Sequence, residues 1–359
     1  MTQLLGGMPI MADLPGWAFT LIAMSGVGII LLLSIAVAVM IFSWAERKVA
    51  AYIQSRYGPM EVGPWQGTLQ PIADGVKFLL KEDIWPTGAD KPLWRLAPLL
   101  IFTGAFLSYV VIPFGPNFIG AKLDVGLFYI FATSSIVVVG IISAGWGSNN
   151  KWALYGAVRG AAQVISYEIP LSLAIMPIVL HVGSLNLGEI ITAQRGWFVN
   201  WHAFGNWGSH GFAGILSLVS FQISLWIYFI SSLAEVNRVP FDLPETESEL
   251  VSGYHTEYSG MKFAFMMLGE YADVFVVSAI AVTVFLGGWY SGIPVIDRFV
   301  PAPLIFVSKS LFLVFVQMWL RWTLPRLRVD QLMHVCWKVL IPITLANLFL
   351  YGLLRTALA

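Results

Sequence analysis

Residues 235–257 hold six acids, Glu235, Asp242, Glu245, Glu247, Glu249 and Glu257, against a single Arg or Lys, Arg238. Like charges packed this closely raise one another's pKa. Carboxylates tuned in this way can carry protons near neutral pH. A merely solvated acidic loop would not need the apolar residues threaded through it: Pro240, Phe241, Leu243, Leu250 and Val251. Capping accounts for part of the acid content, since Thr246 with Glu249 and Asp242 with Glu245 both fit a capping box. Further acids follow at Glu270 and Asp273, beside Tyr271. A separate acid, Glu168, sits in Ser166–Tyr167–Glu168–Ile169–Pro170, inside an apolar run. An acid at the centre of a bilayer costs on the order of 2.5–3.5 kcal/mol and is by default a candidate for a proton path. Arg159 and Gln163, on the preceding turns, are in reach to partner it.

Two basic clusters complete the candidates. Glu46, Arg47 and Lys48 close an apolar run, followed by Arg56 at a Tyr–Gly–Pro turn. Lys48 suits a plain membrane anchor, whereas an anchor has no use for Glu46. Arg321, Arg326 and Arg328 form a basic segment with Asp330, which suits membrane anchoring or docking of an acidic partner. Metal and redox chemistry find little support. Cys336 is the only cysteine, and His181, His202, His210, His255 and His334 are scattered, so neither a cysteine-held cluster nor a zinc site is expected. No GxGxxG or GxxxxGK occurs. The chain is therefore expected to bind no cluster, haem or nucleotide of its own.

The elements that must hold these groups are membrane helices. Of 359 residues 58% are hydrophobic and only 11% charged, with mean hydropathy +0.77. A soluble domain carries about 25% charged residues, so solubility is excluded, as is disorder. Twenty Lys and Arg against 20 Asp and Glu leave no excess for nucleic acid. Eight segments reach the roughly 20 apolar residues of a span: 17–43, 95–113, 125–146, 164–184, 211–234, 264–289, 303–320 and 338–357. The fold class is thus all-α, a polytopic transmembrane bundle with added interfacial helices, one integral-membrane domain over 1–359 with an acidic loop at 235–263. Segment 66–82 is too polar to span and reads as an amphipathic interfacial helix. Pro170, Pro177 and Pro342 fall in or near spans and predict kinks.

With the loop after the first span in the cytoplasm, 15 Lys and Arg fall on that side and four on the other. By the positive-inside rule both termini are then periplasmic. The long, polar loops 44–94, 147–163, 235–263 and 321–337 are cytoplasmic, and chemistry is expected there. Trp197, Trp201 and Trp207, with Phe198 and Phe204, read as an interfacial anchor on the other side.

The motifs together carry a resemblance. AERK at 45–48, LQPIADGVKFLLKED at 69–83, SNNKWALYGAVRGAAQVISYEIP at 148–170, AEVNRVPFDLPETESELVSGYHTEYSGMKF at 234–263, GEY at 269–271 and LPRLRVDQLM at 324–333 resemble the H-type membrane-arm family of proton-pumping NADH:quinone oxidoreductase, respiratory complex I. The resemblance spans nearly the whole chain from residue 17. It departs at Met60–Glu61, where a polar–basic pair is usual, and at Val329, where an aromatic is usual. It implies a membrane subunit of the bacterial cell inner membrane, bound to peripheral-arm and neighbouring membrane subunits. Quinone would be its substrate, with NADH, FMN and iron–sulfur clusters held by partner subunits. Glu46, Arg47, Arg56, Asp74, Lys77, Arg238 and Asp242 would serve quinone binding. Glu168, Glu235, Glu245, Glu247, Glu249, Glu257 and Glu270 would relay protons, and Arg321, Arg326 and Arg328 would dock partners. Two other readings stay open: a stand-alone H⁺ or Na⁺ transporter, against which the missing internal repeat argues, and the equivalent subunit of a hydrogenase or ferredoxin-linked complex.

Overall fold

Backbone amides in lipid have no water to bond, so an apolar run must satisfy them internally as a helix. The computed structural model describes residues 16–205, 211–244 and 246–358. Its spans are eight helices: α1 (Gly16–Ile53), α3 (Lys91–Val111), α4 (Gly126–Gly147), α5 (Lys151–Val182), α6 (Gly211–Glu235), α7 (Gly260–Phe285), α8 (Ala302–Thr323) and α9, which crosses over Val329–Ala357. The amphipathic segment forms α2 (Gln70–Leu80), with Ile72, Val76, Leu79 and Leu80 exposed. Among the described residues the one β-bridge is isolated, between Gly115 and Phe118.

The expected number of spans stands, but three boundaries move. α1 runs on to Ile53 and carries Glu46–Lys48 inside the helix. α5 begins at Lys151, so Arg159 and Gln163 lie within it and Glu168 sits mid-helix instead of one turn in. α9 begins at Val329 and takes up most of the expected loop 321–337. Polar residues continue a helix wherever it rises past the apolar slab, so hydropathy alone stops each span too early. Pro98, Pro170 and Pro177 lie inside their helices. A π-turn at Val335–Leu340 precedes Pro342, where the ring removes an amide from the ladder.

α7 is the central element. From Val274 to Phe285 every residue is buried, the signature of a helix that is apolar all round. It packs on α1, α3, α6 and α8, while α5 packs on α4, α6 and α9. α1 is the outer helix: Leu21, Met24, Ile29, Leu33, Val37 and Ile41 are exposed.

Both ends are knit by cross-loop bonds. At the end rich in Lys and Arg, here the basic end, Asp90 donates to the Gly147 carbonyl (3.0 Å) and Leu327 to that of Pro240 (3.1 Å). Ser259 there donates to the Glu82 carbonyl (3.0 Å). At the far end Phe198 donates to the Gly292 carbonyl (2.9 Å), and the Gln194 side chain ties four backbone groups, of Ile190, His202, Thr283 and Gly287. Lys309 donates to the carbonyls of Leu286, Gly288 and Tyr290, which closes the end of α7, and lies 3.9 Å from the Trp201 ring centroid. Trp201 is thus a packing partner, while Trp197, Phe198 and Phe204 are exposed and Trp207 lies outside the described residues.

Candidate functional site

The basic end collects the candidate residues into two connected groups. The first centres on Glu46, 4% exposed. Arg238, from the loop after α6, donates to it at 3.3 Å, and Arg321 of α8 is its second partner. The neighbours Arg47 and Lys48 do not serve it. A helix turn directs side chains at 46, 47 and 48 to different faces: Arg47 is exposed, and Lys48, though buried, turns to Met60 Sδ at 3.3 Å. The Arg238 guanidinium also lies 4.5 Å from the Tyr271 ring centroid on α7. Glu46, Arg238, Tyr271, Gln317 and Arg321 line one small cavity. Three distant stretches of chain therefore meet on a single carboxylate.

Around this group Arg47 pairs with Asp74 of α2 at 2.6 Å, and Lys77 approaches the same carboxylate at 3.6 Å. Burial pushes Asp74 up, but the hydrogen bond and charge of Arg47, with Gln70 and Lys77, outweigh it and hold the carboxyl below its ordinary range. Arg326 pairs with Asp242 at 3.0 Å, which pins the loop after α6 to the loop before α9. The Arg326 and Arg321 side chains thus hold this chain's own acids. Arg328 is exposed; its guanidinium lies 3.7 Å from Asp330 and its amide donates to Gln331 Oε1 at 3.2 Å. Arg56 also stays apart, donating to the Gln54 side chain.

The loop that carries Arg238 is itself buried. Phe241, Leu243 and Leu250 lie in the core, although Val251 is exposed. Gln163 of α5 anchors the loop by donating to the Ala234 and Phe241 carbonyls (both 2.7 Å) and to Asn237 Oδ1 (3.0 Å). The capping box at Thr246 does not form: its hydroxyl donates to the Asp242 and Leu243 carbonyls instead. Glu249 turns to Arg159 at 2.6 Å. Glu245 lies outside the described residues, as does the side chain of Glu247.

The second group is a file of acids entering the apolar interior. Neither Arg159 nor Gln163 partners Glu168, because both are taken by the loop. Ser134 and Ser135 of α4 donate to it instead, at 3.1 and 3.3 Å. Glu235, at the end of α6, feels the charge of Glu168, and Asp273 feels those of Glu235 and Glu270. Glu235, Asp273 and Ser134 line one cavity between α4, α6 and α7. Glu270 accepts from the Tyr254 hydroxyl at 2.6 Å and bonds His255 Nε2 at 2.9 Å. The turn at Gly253–His255 that presents these two packs against Gly156 of α5. A Cβ on Gly156 would lie 2.7 Å from the Gly253 Cα, so only glycine permits the approach. Glu257 accepts from Asn150 at 2.6 Å.

Some contributors lay outside the residues assigned roles from the sequence. Asp273 was legible, one turn from Glu270 on the same helix face. Ser134, Tyr254 and His255 carry no sequence signal, because their role comes from packing across helices. Among the described residues no group of three or more His, Cys, Asp or Glu is placed to hold a metal.

Fold and site define a polytopic α-helical membrane protein that leads carboxylates from a charged end into its apolar interior. The particular family follows from comparison. The model of the NADH dehydrogenase family matches residues 27–352, and the chain belongs to that family. It is 53% identical over 321 residues to the H subunit of the NADH-quinone oxidoreductase of Chlorobaculum tepidum, covering 86% of this chain and 85% of that one. The like-named protein of a Geobacillus species is 45% identical over 341 residues, covering 95% and 96%. That of Bacteroides thetaiotaomicron is 43% identical over 343 residues, covering 93% and 91%.

Proposed function

We propose that this chain is the quinone-facing membrane subunit of a proton-translocating NADH:quinone oxidoreductase. In this reading it forms the membrane wall of the quinone chamber and converts quinone reduction into charge movement along its carboxylates. Its relatives carry the name of that enzyme's H subunit, so it works as one part of a larger enzyme. NADH, FMN and iron–sulfur clusters belong to partner subunits in the peripheral arm. The chain is a single integral domain of the bacterial inner membrane. The Lys and Arg bias puts the basic end, with the loop after α6, in the cytoplasm and both termini in the periplasm.

One observation carries the reading. The loop after α6 holds Arg238 on Glu46 at one side and continues into Tyr254 and His255 on Glu270 at the other. A charge change at the chamber is therefore transmitted within one short, buried segment to the acid file. Quinone enters beside α1 and α2, where Arg47, Asp74 and Lys77 frame the way, with Arg56 at the rim. Reduction to quinol takes up two electrons and two protons. Groups coupled this closely titrate together, so withdrawal of protons near Asp242, Glu245, Glu247 and Glu249 shifts the balance along Glu257, Glu270, Glu235 and Glu168. Arg326 and Arg328 lie where the peripheral arm would dock.

The test replaces Glu168 and Glu249 singly with Gln in the intact complex. Glu168→Gln is expected to lower proton translocation per quinone reduced, and Glu249→Gln to slow quinone reduction. Full quinone reduction together with full translocation in both variants would overturn the coupling role.

A further inference from the structure

Beyond the acid file, α6 carries a second polar line that the proposed function leaves unused. Ser217, Ser220, Ser224, Tyr228, Ser231 and Glu235 recur every three or four residues and so share one helix face. From Ser217 through Ser231 all are more than nine-tenths buried. α9 answers with Thr344, Asn347 and Tyr351, also at one-turn spacing and also buried, although most of that helix is exposed. The two lines touch: Asn347 donates to the Ser224 hydroxyl and the Ser220 carbonyl, both at 3.1 Å. At the far end Tyr351 bonds His181 Nδ1 at 2.7 Å, and His181 lies edge-on to His202, 5.7 Å between centroids.

Polar residues between membrane helices often act only as glue, each hydroxyl bonded to protein. Here several are not. The hydroxyls of Ser220 and Ser231 and the Nε2 of His202 are buried and have no hydrogen-bond partner among the described residues. A buried polar atom left unbonded costs about 1–3 kcal/mol, and ordered water is the usual remedy. His202 shows which kind of partner it requires. Its Nδ1 faces the Val284 carbonyl at 2.7 Å and must donate, so in the neutral ring Nε2 is an acceptor awaiting a donor. The Cβ atoms of serines one turn apart on α6 stand about 5–6 Å from each other, a spacing that water can bridge. The line from Ser217 to Glu235 runs about 27 Å at the helical rise, close to the thickness of the apolar slab.

We propose that the α6–α9 seam binds a file of ordered waters and conducts protons between Glu235 and the His181–His202 pair at the far end. The proton passes from the Glu235 carboxyl along Ser231, Ser224 and Ser220 with water between them, each hydroxyl and water accepting one proton and releasing another, while the Tyr228 hydroxyl stays bonded to the Val277 carbonyl at 2.9 Å. This rests on the preceding reading only for its starting group.

An electron cryomicroscopy map of the intact complex, at a resolution that shows water, tests the binding half. Ordered water is expected on Ser220, Ser231 and His202 Nε2. A dry seam with both hydroxyls turned to their own helix carbonyls would overturn the proposal, whatever the fate of the acid file. The conducting half is tested by Ser224→Ala combined with Ser231→Ala in proteoliposomes of the intact complex. Quinone reduction is expected to persist with a loss of protons translocated per quinol formed. An unchanged ratio overturns conduction. Glu168→Gln run alongside separates the two ideas: if that variant is silent while the seam variant loses protons, the acid-file reading fails and the seam stands.

Discussion

The two ends of the bundle close their loops by opposite means. The basic end joins distant segments through charge on charge: Glu46 to Arg238 and Arg321, Asp74 to Arg47, Asp242 to Arg326, Glu249 to Arg159. The far end joins them mainly through backbone groups: Gln194 to four of them, His202 to the Val284 carbonyl, and Lys309 to three carbonyls. Burying an ion pair, as the Glu46 cluster does, gains little stability over apolar packing of the same shape, and the basic end already has carbonyl closures at Gly147, Pro240 and Glu82. Buried pairs are therefore a sign of work that needs charge to move, and the far end shows what closure alone looks like.

The largest effect expected to sharpen this contrast is at Glu46. Glu46→Gln leaves the buried Arg238 guanidinium and the part-exposed Arg321 without a counter-charge, which costs about 3–5 kcal/mol. Loss of thermal stability of the intact complex, together with loss of quinone reduction, is the expected result. A variant that keeps both would show the cluster to be ornamental.

Acid should loosen the ends in a definite order. Burial drives His202 from 6.5 down to about 4, the Val284 carbonyl offsets this in part, and His181 adds to it. A base depressed in the fold contributes stability that is complete above its unfolded pKa and falls away as pH drops from about 6.5 toward 4, by up to about 3 kcal/mol. Asp74 is also depressed, but its stabilising contact fades only below the ordinary carboxylate range. Hydrogen exchange across pH should show segment 198–204 opening first. Equal protection of both ends down to pH 4 would break the contrast.

Lys309→Met removes the donor shared by three carbonyls. The expected cost is about 1–3 kcal/mol, seen as faster amide exchange at Gly287–Tyr290 with quinone reduction kept. The smallest effect belongs to the exposed pair Arg328–Asp330. Arg328→Ala should change stability by less than about 0.5 kcal/mol, while retention of the peripheral arm in purified complex decides whether this cation docks a partner.

Much of the fold was legible because lipid demands it. Runs such as Leu93–Tyr109 and Phe263–Leu286 have a single viable conformation in a bilayer, so eight helices and their approximate centres follow from hydropathy. Their ends do not. α5 was expected to start 13 residues late, because Arg159 and Gln163 look like loop residues until the structure shows them inside the helix and bonded to the loop after α6. The site divided in the same way. Glu46, Glu168, Glu235 and Glu270 stand out as acids where acids are costly. Their partners do not stand out, because Arg238 and Arg321 lie 192 and 275 residues from Glu46. Nothing local distinguishes them from Arg47, which is adjacent in sequence and turned elsewhere.

Sequence by itself determined the class, the number of spans and the small set of groups able to carry charge, because each depends on the free energy of moving a residue type from water into lipid. The tertiary structure alone decided which acid meets which base, which hydroxyls receive Glu168, and that two polar lines on α6 and α9 face one another. Those outcomes depend on helix rotation and crossing, which packing of apolar side chains sets and local sequence does not encode.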